Sequence, residues 1–198
     1  MYRLFETIKI FERKIANLDY HNLRLNVARQ KLMGLDVGID LRNMLVIPEE
    51  LATGLYRCRV VYDEHGFLPA EFTPYDLKMI RSLKIIHDER IDYSYKYENR
   101  KHLDRLFAQR GDCNDILIIK NGLVTDTSIC NIVFYDGEKW ITPSTPLLKG
   151  TKRMKLLEGG LIVEDEIRES DIRSFKKACL INVFRELSVN LIRIEQII

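Results

Sequence analysis

Residues 115–142 read DILIIKNGLVTDTSICNIVFYDGEKWIT, and this stretch narrows the possible folds more than any other. Asn121-Gly122 and Asp136-Gly137 each stand between apolar runs, and such pairs supply the positive φ that a two-residue hairpin turn demands. Strands are therefore expected over DILIIK, LVTD, residues 129–135 and KWIT, running back and forth as an antiparallel meander. Pro143 and Pro146 end the meander, a helix opens near Gly150-Thr151, and strands near 161–166, 178–183 and 189–194 follow. The second half of the chain is expected to be rich in strands.

The first half alternates instead. LFETIKIF (4–11) has the β-branched and aromatic content of a strand, and Ile15–Leu18 is expected to pair with it across Glu12-Arg13-Lys14. From Tyr20 to Met33, Leu23, Val27 and Leu32 recur at near-helical spacing, and Gly34 is a suitable C-terminal stop. A second helix is expected from Pro48 to about Gly54. LYRCRVVY (55–62) and LKMIRSLKII (77–86) have the character of strands, separated by HGFLPAEFTP. A further helix follows Asn99 through Leu103, Leu106 and Phe107 to Gly111. No internal repeat is present, so the expectation is an α+β chain in two lobes: a small α/β lobe over 1–86, a linker over 87–95, and a strand-rich lobe over 96–198.

Charge and cysteine usage exclude some functions. The 31 Lys and Arg are interspersed with 29 Asp and Glu for a net charge of +2, which leaves no basic stripe for nucleic acid. Cys58, Cys113, Cys130 and Cys179 are far apart and form no C-x-x-C pair, which fits reduced, buried thiols and offers no metal site. MYRLFETIKIFERK has no apolar targeting core, and no run approaches the ~20 apolar residues needed to cross a bilayer, so a cytoplasmic protein is expected.

One lysine stands out locally. In YSYKYENRKHLDRL (93–106), Lys96 lies among three tyrosines where an apolar run gives way to a basic, helical one. Its surroundings make sense beside a wider pattern in VTDTSICNIVFYDGEKWITPSTPLLKGTKR (124–153): Asp126, Ser128, Asn131, Ile132, Thr142, Pro143, Leu148, Gly150 and Arg153 stand in the order and spacing of a known motif. Phe5-Glu6-Thr7 followed by His21, Arg24 and Leu25 matches the same source, as does Lys96-x-x-Asn99-Arg100. Together these stretches resemble the class IV aminotransferase family, the fold-type IV enzymes that use pyridoxal 5′-phosphate.

The resemblance implies roles residue by residue. Lys96 would be the Schiff-base lysine, with Lys101 the local alternative; Lys96 lies thirty residues before Asp126, closer to the family's usual separation than the twenty-five of Lys101. Arg24 and the amides of Thr151 and Lys152 would hold the phosphate, and Asp126 would face the ring nitrogen. The carboxyl-end stretch ACLINVFRELSVNLIRIE (178–195) lacks the small-residue pair common in aminotransferases. Its Asn182 followed by Arg185-Glu186-Leu187 is similar to the aminodeoxychorismate lyases of the family, which makes Asn182 a further cofactor-binding candidate. Arg57, Arg59 and Arg81 are candidates for substrate carboxylates. The implied activity is a lyase giving p-aminobenzoate and pyruvate, or else an aminotransferase of branched-chain or D-amino acids, in either case a homodimer acting on a small molecule.

Overall fold

The computed structural model describes residues 2–189 and 191–198. The chain divides into two compact units, the first running to Leu77 and adding Tyr95–Asn99, the second comprising Lys78–Ser94 and Arg100–Ile198.

In the first unit, β1 (Leu4–Phe11), β2 (Lys14–Ile15), α1 (Leu18–Met33), β3 (Leu55–Asp63), β4 (Gly66–Phe67) and β5 (Glu71–Pro74) follow one another. The sheet order is β2-β1-β3-β4, with β5 also on β3. Alternation along β1 points Leu4, Glu6, Ile8 and Ile10 to one face, and all four are fully buried. Leu25 and Ala28 of α1 join the same apolar cluster as Leu4, Ile8 and Ile10. The expected helix therefore exists, but its buried face carries Leu18, His21, Leu25 and Ala28, while Leu23 and Val27 are exposed. The first hairpin is shorter than expected, because Asn17 takes a left-handed φ of 55° and α1 starts at Leu18.

The helix expected at Pro48 does not form. A single turn bond joins the Leu51 amide to Pro48 O, and the Arg13 guanidinium takes the carbonyls of Pro48, Glu49 and Leu51 at 3.0, 3.3 and 2.6 Å. Carbonyls held by a distant arginine need no helical partners.

The second unit holds β6 (Leu83–His87), α2 (Lys101–Phe107), β7 (Asp115–Lys120), β8 (Leu123–Thr127), β9 (Asn131–Tyr135), β10 (Trp140–Pro143), α3 (Thr151–Glu158), β11 (Val163–Asp165), β12 (Lys177–Ile181) and β13 (Leu191–Ile192). Pairing runs β6-β7-β8-β9, then β12 and β13. The residues after β13 return to β6, where the Ile85 amide donates to Ile198 O at 2.6 Å and the Ile198 amide to Leu83 O at 2.9 Å. The strand cycle is thereby closed into a barrel-like sheet, which agrees with the expected α+β, fold-type IV architecture. Leu117, Ile119, Val124, Ile132, Phe134, Ala178 and Leu180 belong to one apolar cluster. Val133 and Cys179 point the other way, against Leu156 of α3.

The lobe boundaries differ from the expected 1–86, 87–95 and 96–198. The strand expected over 77–86 is confined to β6, and it pairs in parallel with β7, so everything from Lys78 to Ser94 belongs to the second unit. The stretch expected as a linker is tied to β7 and its turn: the Asp88 amide donates to Ile119 O, Lys120 Nζ to Ile91 O, and the Asn121 amide to Glu89. Tyr95–Asn99 instead runs beside β1, with the Phe5 amide donating to Lys96 O at 3.0 Å and the Glu98 amide to Arg3 O at 2.9 Å. Among the described residues, no helix is long and apolar enough to cross a membrane.

Candidate active site

Glu6 occupies the buried face of β1, a position that otherwise carries Leu and Ile, so its charge requires partners. α1 supplies them one turn apart. His21 Nδ1 donates to Glu6 Oε2 at 2.6 Å, Arg24 Nε donates to Oε1 at 2.9 Å, and Arg24 Nη2 reaches Oε2. Burial alone would raise the Glu6 carboxyl, but the Arg24 charge and the His21 hydrogen bond outweigh it and hold the group at about 2. Burial also pushes the His21 imidazole below its ordinary value, against the pull of Glu6. With ionised Glu6 accepting at Nδ1, the proton of neutral His21 sits there, and Nε2 is a buried acceptor with no partner among the described residues.

Lys96 belongs to the same unit. Its backbone is fixed by the bond to Phe5, its Nζ lies 4.8 Å from the Phe5 ring centroid, and its charge acts on His21. The half-buried Lys96 thus joins Arg24, His21 and Glu6 in one cluster around the first strand. Lys101, the alternative, is the exposed first residue of α2 in the other unit. The Arg59 guanidinium lies 5.2 Å from the centroid of the same Phe5 ring and pairs with Glu98 at 2.6 Å. Arg57 is an exposed residue of β3, and Arg81 is exposed in the second unit, its amide donating to Asn114. Within the first unit, Arg59 lies next to Phe5 and hence to the ring that Lys96 covers.

The second unit gathers its residues where β8 meets β9. Asp126 is 5% exposed; Asn131 Nδ2 donates to its Oδ1 at 2.7 Å and the Leu148 amide to its Oδ2 at 2.9 Å. Burial pushes its carboxyl up to about 6, with those two hydrogen bonds and the Arg153 charge opposing the rise. Asn131 also donates to Leu148 O at 2.8 Å, so one side chain holds both the acid and the loop that leads to α3. Arg153 is buried between Thr142, Pro143 O and Glu164, fastening α3 to β10 and β11.

Gly150 precedes α3, and no side chain caps the helix there. A Cβ at Gly150 would stand 2.0 Å from Asn131 Oδ1, so glycine is required by the asparagine itself. Gly150→Ala is therefore expected to push Asn131 off Asp126 and to destabilise the chain by about 1–3 kcal/mol, read as a lowered melting temperature together with weakened cofactor binding. An unchanged melt and unchanged binding would show that the Asn131 contact is dispensable.

Thr151 and Lys152 are buried at the start of α3, and the Lys152 ammonium is committed to Glu186 at 2.6 Å. Asn182 is committed as well: its Oδ1 accepts from the Phe184 and Arg185 amides at 2.9 and 3.1 Å, and its Nδ2 faces Ile129 O and Cys130 Sγ. Its visible work is to close the turn after β12. Arg100, the motif partner of Lys96, donates to Ser128 O at 2.8 Å and braces the loop beside Asp126.

Sequence reasoning gave Glu6 and Asn131 places in a pattern but no work to do. The signal for Glu6 was present, an acid on the apolar face of an alternating strand; that for Asn131 was not, because its partners lie up to seventeen residues away. Among the described residues, no group of three or more His, Cys, Asp or Glu could hold a metal ion. Within the first unit, a lysine amine and a guanidinium are groups of the kind that hold an anionic, aldehyde-bearing cofactor; within the second, a buried carboxyl and an uncapped helix N-terminus beside glycine are groups of the kind that meet a pyridine nitrogen and a phosphate.

Comparison with known proteins agrees. The class IV amino-transferase family model matches residues 3–190. A Haemophilus influenzae protein of uncharacterised function is 40% identical over 189 residues, covering 94% of this chain and all of the relative. The crystal structure of a provisionally named 4-amino-4-deoxychorismate lyase from Haemophilus somnus superposes with a TM-score of 0.86 at 36% identity, covering 94% of this chain and 98% of that one. An amino-acid aminotransferase, also provisionally named, from Mesorhizobium loti shares the fold, with a TM-score of 0.79 at 20% identity over 98% of each chain. The chain belongs to the class IV aminotransferase family, and its cofactor is that family's pyridoxal 5′-phosphate.

Proposed function

We propose that the chain is a 4-amino-4-deoxychorismate lyase, releasing p-aminobenzoate and pyruvate for folate synthesis in the cytoplasm, and that it works as a homodimer. The observation that carries the choice of a lyase is the likeness to the Haemophilus somnus protein, which extends over nearly the whole of both chains. The turn closed by Asn182 and followed by Arg185 and Leu187 supports it.

When bound, the cofactor supplies an electron sink for the carbon that bears the substrate nitrogen. Arg24, aligned by Glu6, would be a phosphate-holding residue of the first unit, and the first amides of α3 would be candidates for the same task in the second. Asp126, once ionised, would keep a proton on the ring nitrogen; burial raises its carboxyl to about 6, which would make that proton easy to share. Lys96 would hold the cofactor through its amine and, once that amine is free, would accept the proton from the substrate carbon that bears the nitrogen. The carbon–oxygen bond to the enolpyruvyl group then breaks and the ring becomes aromatic. Lys96 returns the proton to the departing enolpyruvyl group, which leaves as pyruvate. The Phe5 ring beside Lys96 suits this cycle, since its face favours the charged form of the amine.

The state of the cofactor after one turnover distinguishes a lyase from an aminotransferase. Loaded protein mixed with excess aminodeoxychorismate and no oxo-acid is expected to keep all its cofactor in the pyridoxal form. Accumulation of pyridoxamine phosphate under those conditions would contradict the lyase and favour the aminotransferase.

A further inference from the structure

Arg185 is 2% exposed and is the one large cation of the second unit's interior to which no carboxylate is bound among the described residues. Its buried neighbours in kind are paired: Lys152 with Glu186, Arg153 with Glu164. Arg185 Nη2 donates to the Lys78 carbonyl, whereas Nε and Nη1 are buried with no partner among the described residues. A guanidinium stays charged at any ordinary pH, and a buried charge without a counter-ion is strongly unfavourable. Asp115 does not relieve it: both groups act on the Cys130 thiol, with opposite sign, yet Asp115 Oδ2 is itself unpartnered.

The place of Arg185 follows from strand register. Ile181 of β12 pairs with Asn131 of β9, and Asn131 pairs with Asp126. The turn 182–185, closed by the Asn182 side chain and by the Asn182–Arg185 backbone pair, therefore leaves the sheet on the far side of the β9 residue that pairs with the acid. A cation is thus held, uncompensated, by the same end of β9 that holds Asp126.

We propose that Arg185 is a substrate-binding residue that receives a carboxylate of the substrate. The inference rests on the lyase reading for the identity of that substrate, which carries two carboxylates, and it adds Arg185 to a set in which Arg57 and Arg81 are exposed. A carboxylate suits the two unpartnered nitrogens because it is acceptor-only and neutralises the charge. The nitrogens are shut off from water, and the guanidinium's hydrogen bond is to the stretch around Lys78, which has neither helical nor strand bonding. The ligand enters by displacing the Lys78 carbonyl.

The test uses the pyridoxal phosphate-loaded protein and measures binding of the two products, p-aminobenzoate and pyruvate, with 4-aminobenzamide as the uncharged control. Arg185→Met is expected to weaken one of the two acids about 30-fold or more, to leave 4-aminobenzamide unchanged, and to leave the cofactor absorption unchanged. Whichever acid weakens identifies the carboxylate that Arg185 holds. The same variant is expected to melt no lower than wild type, since an apolar side chain of similar size replaces an unpaired buried charge. A lower melting temperature with both acids bound as before would leave Arg185 only the structural task of holding Lys78, and loss of cofactor instead would assign it to the phosphate; either overturns the proposal. Should Arg185→Met not fold, Arg185→Lys is the substitute: weaker binding of one acid with intact cofactor absorption supports the proposal, and unchanged binding of both overturns it. If wild type makes no p-aminobenzoate, the lyase reading fails alone, and the comparison with pyruvate still reports on Arg185.

Discussion

Lys96→Ala is expected to remove the visible absorption of lysine-bound cofactor and to lower turnover by at least ~10⁴-fold, while the fold survives. On the proposed reading two separate tasks, covalent attachment and proton transfer, would fall to this amine, so no neighbour would replace it. The fold should survive because what Lys96 contributes to packing is chiefly backbone: its carbonyl accepts from the Phe5 amide, and the nearby Glu98 amide donates to Arg3 O. Alanine keeps both bonds. The substitution does remove the approach of Nζ to the Phe5 ring, worth about 0.5–1 kcal/mol at a half-buried site. Lys101→Ala is the matched control, with the exposed start of α2 altered and the absorption retained. If the absorption persists in Lys96→Ala and disappears in Lys101→Ala, the assignment is reversed.

Glu6→Gln is expected to destabilise the chain by about 3–5 kcal/mol, a fall in melting temperature of about 10 °C. The substitution preserves size and removes the one negative charge that Arg24 and His21 share. Arg24, with a side chain only 12% exposed, would lose its ion pair with Glu6. The effect depends on pH in a definite direction. The Glu6 carboxyl is lowered from 4.5 to about 2, so its stabilisation is complete above 4.5 and is lost as pH falls toward 2. The gap between wild type and Glu6→Gln should accordingly be full at pH 7 and narrow as the pH falls through that window. A gap that stays constant down to pH 2 would show that the charge of Glu6 is not what holds the cluster. Cofactor affinity should fall alongside, because Glu6 fixes the plane of the Arg24 guanidinium.

The elements that were legible in the sequence are those set by local rules. β7 to β10 follow from the Asn-Gly and Asp-Gly turns, and α1 and α2 from spacing and a terminal glycine or its equivalent. What was not legible depends on distant partners. The Pro48 stretch has a helix's opening residue but gives its carbonyls to Arg13, thirty-five residues earlier. Residues 77–82 have the composition of a strand, yet only Leu83–His87 finds an edge to pair with, that of β7. The buried face of α1 was misjudged because His21 and Arg29 lie on it while Leu23 and Val27 do not. A polar residue is drawn inward when a partner waits there, and periodicity cannot show that. The same holds for the candidate site. The motif placed Lys96, Arg24 and Asp126, whereas the Glu6 clamp, the double duty of Asn131 and the isolation of Arg185 exist only once strands far apart in sequence are side by side.

The most direct test of the account is to load the purified chain with pyridoxal 5′-phosphate, add aminodeoxychorismate, and follow p-aminobenzoate fluorescence together with pyruvate. Both products are expected in equal amounts over many turnovers, with none from Lys96→Ala. Cofactor visibly bound to Lys96 with no p-aminobenzoate formed would contradict it.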